Sequence, residues 1–197
     1  MAEKKDFFIV RPGPADLPIL AVFILGLSSA FFSNRSSLNM ALIMLVAAMV
    51  LYYISGIFIK SRNGYASGFT RALDSFIIGL VFLASPCIFM YHWQYNGVLE
   101  TIVLTVFMIS GILRIAFFGD SGEGRECSRY DRIGMPVFWS PVIPAAAYLA
   151  ANYVSRAIIN IALSIMFLLF SSLMLLNTEI KFLYIPLISP SKKTHKK

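Results

Sequence analysis

Charged residues are scarce in this chain. Only 14% of its 197 residues are Asp, Glu, Lys or Arg, whereas 58% are hydrophobic. Soluble globular proteins average about 25% charged and about 45–50% apolar residues. So few charged side chains would not cover the surface of a soluble domain of this size, and the composition therefore predicts an integral membrane protein.

Cysteine is also rare, and the basic residues lack the pattern of a nucleic-acid-binding module. Cys87 lies in an apolar run and Cys127 in a polar loop, so the two thiols are expected at different depths and unpaired. The net charge is +7, but Lys and Arg are not interleaved with aromatic residues on a soluble module. We therefore expect the lipid bilayer as a partner and no nucleic acid.

Apolar runs divide the chain into six candidate membrane-spanning helices. A bilayer requires about 20 apolar residues per spanning helix. The candidates, in chain order, are residues 17–32, 38–59, 73–95, 98–118, 135–154 and 158–176. The third is predicted to kink at Pro86. The fifth contains Pro136, Pro141 and Pro144, which also predict a kinked backbone.

The two ends of the chain differ from the apolar core. Residues 1–14 have an apolar stretch of only four residues, too short for a signal peptide, and are predicted to lie at the membrane interface as a short amphipathic segment. Residues 15–186 form the predicted six-helix membrane domain, with one long polar loop at 119–132. Residues 187–197 form a basic tail.

Basic residues are distributed unevenly between the loops. If the amino terminus is cytoplasmic, fifteen of the seventeen Lys and Arg fall on cytoplasmic segments, and Arg35 and Arg156 fall on the other side. Cytoplasmic loops of membrane proteins carry an excess of Lys and Arg. We therefore predict an all-α, multi-pass integral membrane protein with six transmembrane helices and both termini in the cytoplasm.

The stretch from residue 52 to residue 78 joins two predicted helices across a short basic turn. One helical face, with the spacing i, i+3, i+4, i+7, i+8, consists of Tyr52, Ser55, Gly56, Ile59 and Lys60. Asp74 and Ile78 share a face of the next helix. Two helix ends with polar side chains are therefore expected to meet on the cytoplasmic side.

Four segments, in their order along the chain, carry a family resemblance. They are RALDS (71–75), GILRIAFF (111–118), IGMPVFWSPVIPAAAYLA (133–150) and SSLMLLNTEIKF (171–182). Together they resemble segments of the CDP-alcohol phosphatidyltransferases, in particular the phosphatidylserine synthase branch. The resemblance implies a six-helix membrane protein, usually a homodimer, related to enzymes that transfer a phosphatidyl group from a CDP-linked lipid to a small alcohol.

Members of this family share a signature that resembles D-x2-D-G-x2-A-R-x8-G-x3-D-x3-D. Its four carboxylates hold two divalent cations against the pyrophosphate, and the last can also deprotonate the attacking hydroxyl. With one extra residue in the turn, the signature positions fall on this chain at Tyr52, Ser55, Gly56, Ile59, Lys60, Thr70, Asp74 and Ile78. The resemblance therefore implies that Tyr52, Ser55 and Ile78 replace three of the four aspartates.

These replacements change the expected activity. One carboxylate with a serine and a tyrosine hydroxyl is a poor cage for a hard divalent cation, and Ile78 can neither bind metal nor act as a base. We therefore interpret the chain as a catalytically degenerate homologue, with no catalytic residue, metal or cofactor, that serves as a lipid-binding or partner-binding subunit. It is expected to form a homodimer or a heteromer with another membrane protein.

Two alternatives stay open at this point, and with them the question of whether the chain is an enzyme. The first is an active transferase of phospholipid synthesis, with an atypical or partner-completed site for Mg²⁺ or Mn²⁺. The second is a small membrane carrier unrelated to the family, for which the proline-rich fifth span is the only indication.

The remaining charged residues near the turn have two interpretations each. Lys60, Arg62, Arg71 and Arg114 are predicted to bind an anionic lipid or CDP-lipid headgroup, although the positive-inside bias explains them equally well. Asp74 fits either a residual metal ligand or an acid that stabilises the first turn of its helix by about 0.3–1 kcal/mol.

Overall fold

The computed structural model describes residues 16–35, 37–61, 68–120 and 135–176. Its elements, in chain order, are α1 (Asp16–Asn34), α2 (Leu38–Ser61), α3 (Gly68–Ile78), a π-helix (Gly79–Ala84), α4 (Ser85–His92), α5 (Val98–Asp120), a 3-10 helix (Val137–Trp139), α6 (Val142–Ala150) and α7 (Arg156–Leu175). No strand occurs in these four ranges, which confirms the all-α class for them. The predicted interfacial segment, most of the polar loop and the basic tail lie outside the described residues.

Five helical segments are long and apolar enough to cross a membrane. They are Leu17–Asn34, Leu38–Ser55, Ala72–His92, Val98–Phe117 and Arg156–Leu175. Each overlaps one of the predicted spans, and the third combines α3, the π-helix and α4. Their length and composition are those of a multi-pass integral membrane protein, as the sequence predicted.

The predicted fifth span, residues 135–154, does not form one long helix. The segment contains the 3-10 helix and the nine-residue α6. Pro136 is extended, with φ −64° and ψ 137°, and Pro141 immediately precedes α6, so the prolines divide the backbone. With a rise of about 14 Å, α6 alone covers about half of the ~30 Å hydrocarbon layer.

Helices α5 and α7 run parallel to each other. Phe107 of α5 packs against Phe167 of α7, with ring centroids 5.1 Å apart. Further along both helices, the guanidinium of Arg114 donates a hydrogen bond of 2.9 Å to the carbonyl of Met174. The end of the bundle that holds Arg114 and Met174 is termed the lower end, and the opposite end, where α5 and α7 begin, the upper end.

The proline-rich segment passes from the lower end to the upper end. At the lower end, the N–H of Met135 donates a hydrogen bond of 3.1 Å to the carbonyl of Leu173. At the upper end, the ring of Tyr148 lies 6.0 Å from that of Trp93, in the loop between α4 and α5. The hydroxyl of Tyr148 also donates to the side-chain oxygen of Asn39, at the start of α2.

The π-helix packs closely between α1 and α5. A Cβ added to Gly26 of α1 would lie 2.4 Å from a methyl of Val81, and one added to Gly111 of α5 would lie 2.3 Å from a methyl of Leu83. The hydroxyl of Ser85 donates a hydrogen bond of 3.1 Å to the carbonyl of Gly26. Because the two glycines have no side chain, α1 and α5 approach the π-helix more closely than a larger residue at either position would allow.

A hydroxyl from the proline-rich segment satisfies a carbonyl of the π-helix. Pro86 has no N–H and so donates no backbone hydrogen bond to the π-helix that precedes it. Ser140, in the turn after the 3-10 helix, donates its hydroxyl to the carbonyl of Phe82. This hydrogen bond fastens the proline-rich segment to the middle of the third span.

Candidate functional site

The predicted meeting of the two helix faces occurs between Tyr52 and Asp74. The hydroxyl of Tyr52 on α2 donates a hydrogen bond of 3.3 Å to Oδ2 of Asp74 on α3. These are the residues onto which the resemblance described above maps the first and third aspartates of the family signature. A neutral donor and one carboxylate therefore face each other across the helix pair.

Aromatic contacts hold the Tyr52 ring in this orientation. Its centroid lies 5.2 Å from that of Phe82 in an edge-to-face arrangement, and 5.6 Å from that of Phe138. Such ring pairs contribute about 0.5–1.5 kcal/mol beyond the area that they bury. Phe138 follows Met135 by three residues, which places the Tyr52–Asp74 contact toward the lower end of the bundle.

Ser55 and Ile78, at the second and fourth aspartate positions, have structural contacts. Ser55 is 3% exposed, and its hydroxyl donates a hydrogen bond of 2.7 Å to the carbonyl of Tyr52 in its own helix. Ile78 is partly buried and packs against the hydrophobic core. The Ser55 hydroxyl is therefore occupied by a hydrogen bond within its own helix, and the Ile78 side chain contributes to the hydrophobic packing.

Arg114 is buried and contacts the end of α7. Its side chain is 7% exposed and donates to the carbonyl of Met174, as described above. The last carbonyls of an α-helix lack donors within the helix, so a guanidinium at this position satisfies one of them. This contact is one that the sequence did not predict for Arg114; its role in binding an anionic headgroup stays a prediction.

The other predicted site residues fall outside the described side chains. The backbones of Gly56, Ile59 and Lys60 belong to α2 and that of Arg71 to α3, whereas Arg62 lies outside the described ranges. Their grouping into an anion-binding pocket therefore stays a prediction.

The described donors do not fit a divalent cation. A hard cation takes several oxygen ligands, commonly carboxylates, and Asp74 supplies the only carboxylate at the four signature positions. Within the described ranges, no three His, Cys, Asp or Glu side chains lie together in a way that would hold a metal ion. We therefore derive no reaction step through a metal at this site.

Two residues that shape the site were missed by sequence reasoning. Phe82 continues the i, i+4 series that begins with Asp74 and Ile78, so its place on the same side of the third span had a signal in the sequence. Phe138 had none, because its contact with Tyr52 depends on the path of the proline-rich segment through the bundle.

No family model matches this chain, and neither the curated proteins nor the solved structures contain a match.

Proposed function

We propose that this chain is a membrane protein related to the CDP-alcohol phosphatidyltransferases, close to the phosphatidylserine synthase branch, in which the transfer site has been replaced by structural contacts. It acts as a non-catalytic subunit that binds lipid or another membrane protein, as a homodimer or a heteromer. The observation that carries this proposal is the hydrogen bond between Tyr52 and Asp74, because it places a side chain-to-side chain contact where the family signature has two aspartates.

The surrounding contacts support the same conclusion. Transfer from a CDP-linked lipid breaks the pyrophosphate bond and requires stabilisation of the charge that develops on the leaving CMP, a task for metal ions or for several cations. At the signature positions, Tyr52 is packed between two phenylalanines, Ser55 bonds its own helix, and Ile78 is apolar. Near neutral pH none of these three side chains becomes an anion, so none supplies the negatively charged oxygen of an aspartate.

The path of the chain supports six membrane crossings with both termini on one side. Because α5 and α7 are parallel, the chain that connects them must return from the lower to the upper end. Residues 135–154 make this return, although they do not form one long helix. With six crossings, the excess of Lys and Arg supports a cytoplasmic location for both termini and for the lower end.

An assay of CMP release tests the catalytic part of the proposal. The purified chain in lipid, supplied with Mg²⁺ or Mn²⁺, a CDP-activated diacylglycerol and serine, inositol or glycerol phosphate, is expected to release no more CMP than protein-free vesicles. An active transferase of the family serves as the positive control. Turnover that is abolished by Asp74→Asn would establish the alternative, an active enzyme with an atypical or partner-completed metal site.

Purification from native membranes tests the binding part. We expect the tagged chain to retain either phospholipid or a second membrane protein in stoichiometric amount after mild solubilisation. Recovery of this chain alone, free of both, would refute its role as a binding subunit even if no CMP is released.

A further inference from the structure

A cleft of about 240 Å³ lies at the upper end, opposite the Tyr52–Asp74 contact. It is lined by Trp93, Ala151, Val154, Arg156 and Ile159. These residues belong to the loop after α4, to the chain that follows α6 and to the first turn of α7. The loop after α4 and the continuous stretch 151–159, which are distant from each other in sequence, therefore form one concave surface.

Arg156 is the charged residue of this cleft. Its side chain is exposed, and within the described ranges no acidic side chain forms an ion pair with it. Apart from Arg156, the lining is apolar or aromatic. The cleft thus combines one guanidinium, whose N–H donors lie in one plane, with apolar side chains that can contact hydrocarbon.

Aromatic residues place this cleft at the level of lipid headgroups. The Trp93 ring is half-buried and packs against Tyr148. Tyr91 is 51% exposed and Tyr153, within the turn that supplies two of the lining residues, is 89% exposed. Exposed Tyr and Trp at the end of a spanning helix are typical of the interface between hydrocarbon and water.

We propose that this cleft binds the phosphodiester group of a membrane phospholipid. Arg156 donates to the phosphate oxygens, because its planar fork matches their geometry and their charge is opposite. Trp93, Val154 and Ile159 contact the glycerol and the first carbons of the acyl chains. The volume is below the ~300–1,000 Å³ that encloses a whole drug-sized ligand, so the cleft holds the headgroup region while the acyl chains extend along the bundle.

The exposed apolar residues near the cleft provide a path for those chains. Ile158, one turn into α7, is 60% exposed, and Leu99, at the start of α5, is 75% exposed. Both lie in the first turn of a helix that begins at the upper end. The proposed site gives the lipid-binding part of the proposed function a location, but it shares no residue with the contact between α2 and α3, so its test and the CMP-release test fail separately.

Binding of phospholipid to the purified full chain in detergent tests this proposal, with native mass spectrometry as the readout. We expect Arg156→Gln to weaken the binding of a phospholipid by about tenfold, the loss of one charge-assisted hydrogen-bonded contact. The matched control is Arg35→Gln, which removes the other basic residue of the upper end, exposed but outside the cleft, and is expected to leave the affinity unchanged.

Two further ligands show whether the cleft recognises the phosphodiester and not the acyl chains alone or free phosphate. Diacylglycerol with the same acyl chains is expected to bind at least tenfold more weakly than the phospholipid and to be insensitive to Arg156→Gln. Inorganic phosphate is expected to be lost under conditions that retain the phospholipid. The variant Ala151→Leu fills the cleft without touching Arg156, and we expect it to weaken phospholipid binding as well.

Several outcomes would overturn the proposal. They are unchanged affinity in both cleft variants, an equal loss in Arg35→Gln, equal binding of diacylglycerol, or retention of inorganic phosphate as tight as that of the lipid. Thermal unfolding of each variant shows whether the fold is intact, and if Arg156→Gln does not fold, Ala151→Leu decides the question alone.

Discussion

The guanidinium of Arg114 lies against the final turn of α7, where it donates a hydrogen bond of 2.9 Å to the carbonyl of Met174. The carboxyl end of a helix carries a partial negative charge, so a buried cation there is favourable on two counts, the hydrogen bond and the dipole. Arg114 and Met174 thus join the ends of the two parallel helices at the lower end of the bundle.

Replacing Arg114 is expected to lower stability. Arg114→Leu leaves the Met174 carbonyl without this donor, and we expect a loss of about 1–3 kcal/mol in the free energy of unfolding, measured by thermal or denaturant unfolding in detergent. The exposed Arg35→Leu is the control and should be neutral. If Arg114→Leu were as stable as the native chain but bound anionic lipid more weakly, Arg114 would belong to the predicted anion site instead.

The Tyr52–Asp74 hydrogen bond is expected to appear as coupling in a double-mutant cycle. Tyr52→Phe keeps the ring contacts and removes only the hydroxyl, and Asp74→Asn weakens the acceptor. We expect the two changes to be non-additive by about 1 kcal/mol in unfolding free energy. Tyr53→Phe, on the neighbouring position of α2, should show no coupling with Asp74→Asn; additive effects for Tyr52 as well would contradict the contact.

The close packing of the π-helix predicts different outcomes for three glycines. Gly26→Ala would force its Cβ against the stiff, β-branched Val81, and we expect a loss of about 1–3 kcal/mol. Gly79→Ala is the matched control, since its Cβ would meet only an Ile115 methyl at 3.8 Å. Gly111→Ala should cost less than Gly26→Ala, because its Cβ would meet the end of the more flexible Leu83 side chain.

A compensating change tests whether the packing is the cause. Val81→Ala in the Gly26→Ala background removes both methyl groups that clash, and it should recover part of the lost stability, as followed by thermal unfolding. Because the Cβ of residue 81 would still lie 2.8 Å from the added Cβ, Val81→Gly in the same background is the second test, and failure of both changes to restore any stability would show that the cost arises elsewhere.

The Ser140–Phe82 hydrogen bond predicts a dependence on Pro86. Ser140→Ala leaves the Phe82 carbonyl without its donor, and we expect a loss of about 1–3 kcal/mol in a non-aqueous interior. In a Pro86→Ala background, residue 86 regains an N–H, so the same serine substitution should cost less. Equal costs of Ser140→Ala in both backgrounds would contradict this explanation.

The passage of residues 135–154 through the bundle predicts the positions of the two termini. Reporters of membrane sidedness fused to each terminus should both score as cytoplasmic. A carboxy-terminal reporter joined after Arg35, behind the first span, should score on the opposite side and serves as the control. Opposite locations of the native termini would mean that the proline-rich segment does not cross the membrane.

The sequence predicted the long helices well because each is an uninterrupted apolar run of about the bilayer thickness. Helix α2, for example, begins at Leu38 in both the prediction and the structure. The division at the prolines of the fifth span was harder to predict. Its form depends on partners such as Phe82 and Leu173, which become neighbours of this segment only after folding.

The π-helix had a weaker signal for the same reason. Pro86 indicates an interruption of the third span. The shift of hydrogen-bond register over six residues depends instead on tertiary packing, because α1 and α5 contact the π-helix closely at Gly26 and Gly111. At the candidate site, helical spacing predicted that the faces of Tyr52 and Asp74 meet. The contact with Phe138 required knowledge of the tertiary structure.

The hydrogen bond from Met135 to Leu173 also bears on the order of assembly during synthesis. Leu173 emerges from the ribosome after the whole proline-rich segment, and α6 is too short to settle in the bilayer as an isolated helix. This hydrogen bond therefore forms only after α7 has been synthesised, whereas the contacts of Ser140 with Phe82 and of Tyr148 with Asn39 join the segment to helices that are made earlier. A nascent chain that ends before α7 would therefore lack the hydrogen bond that ties the lower end of the proline-rich segment to the bundle.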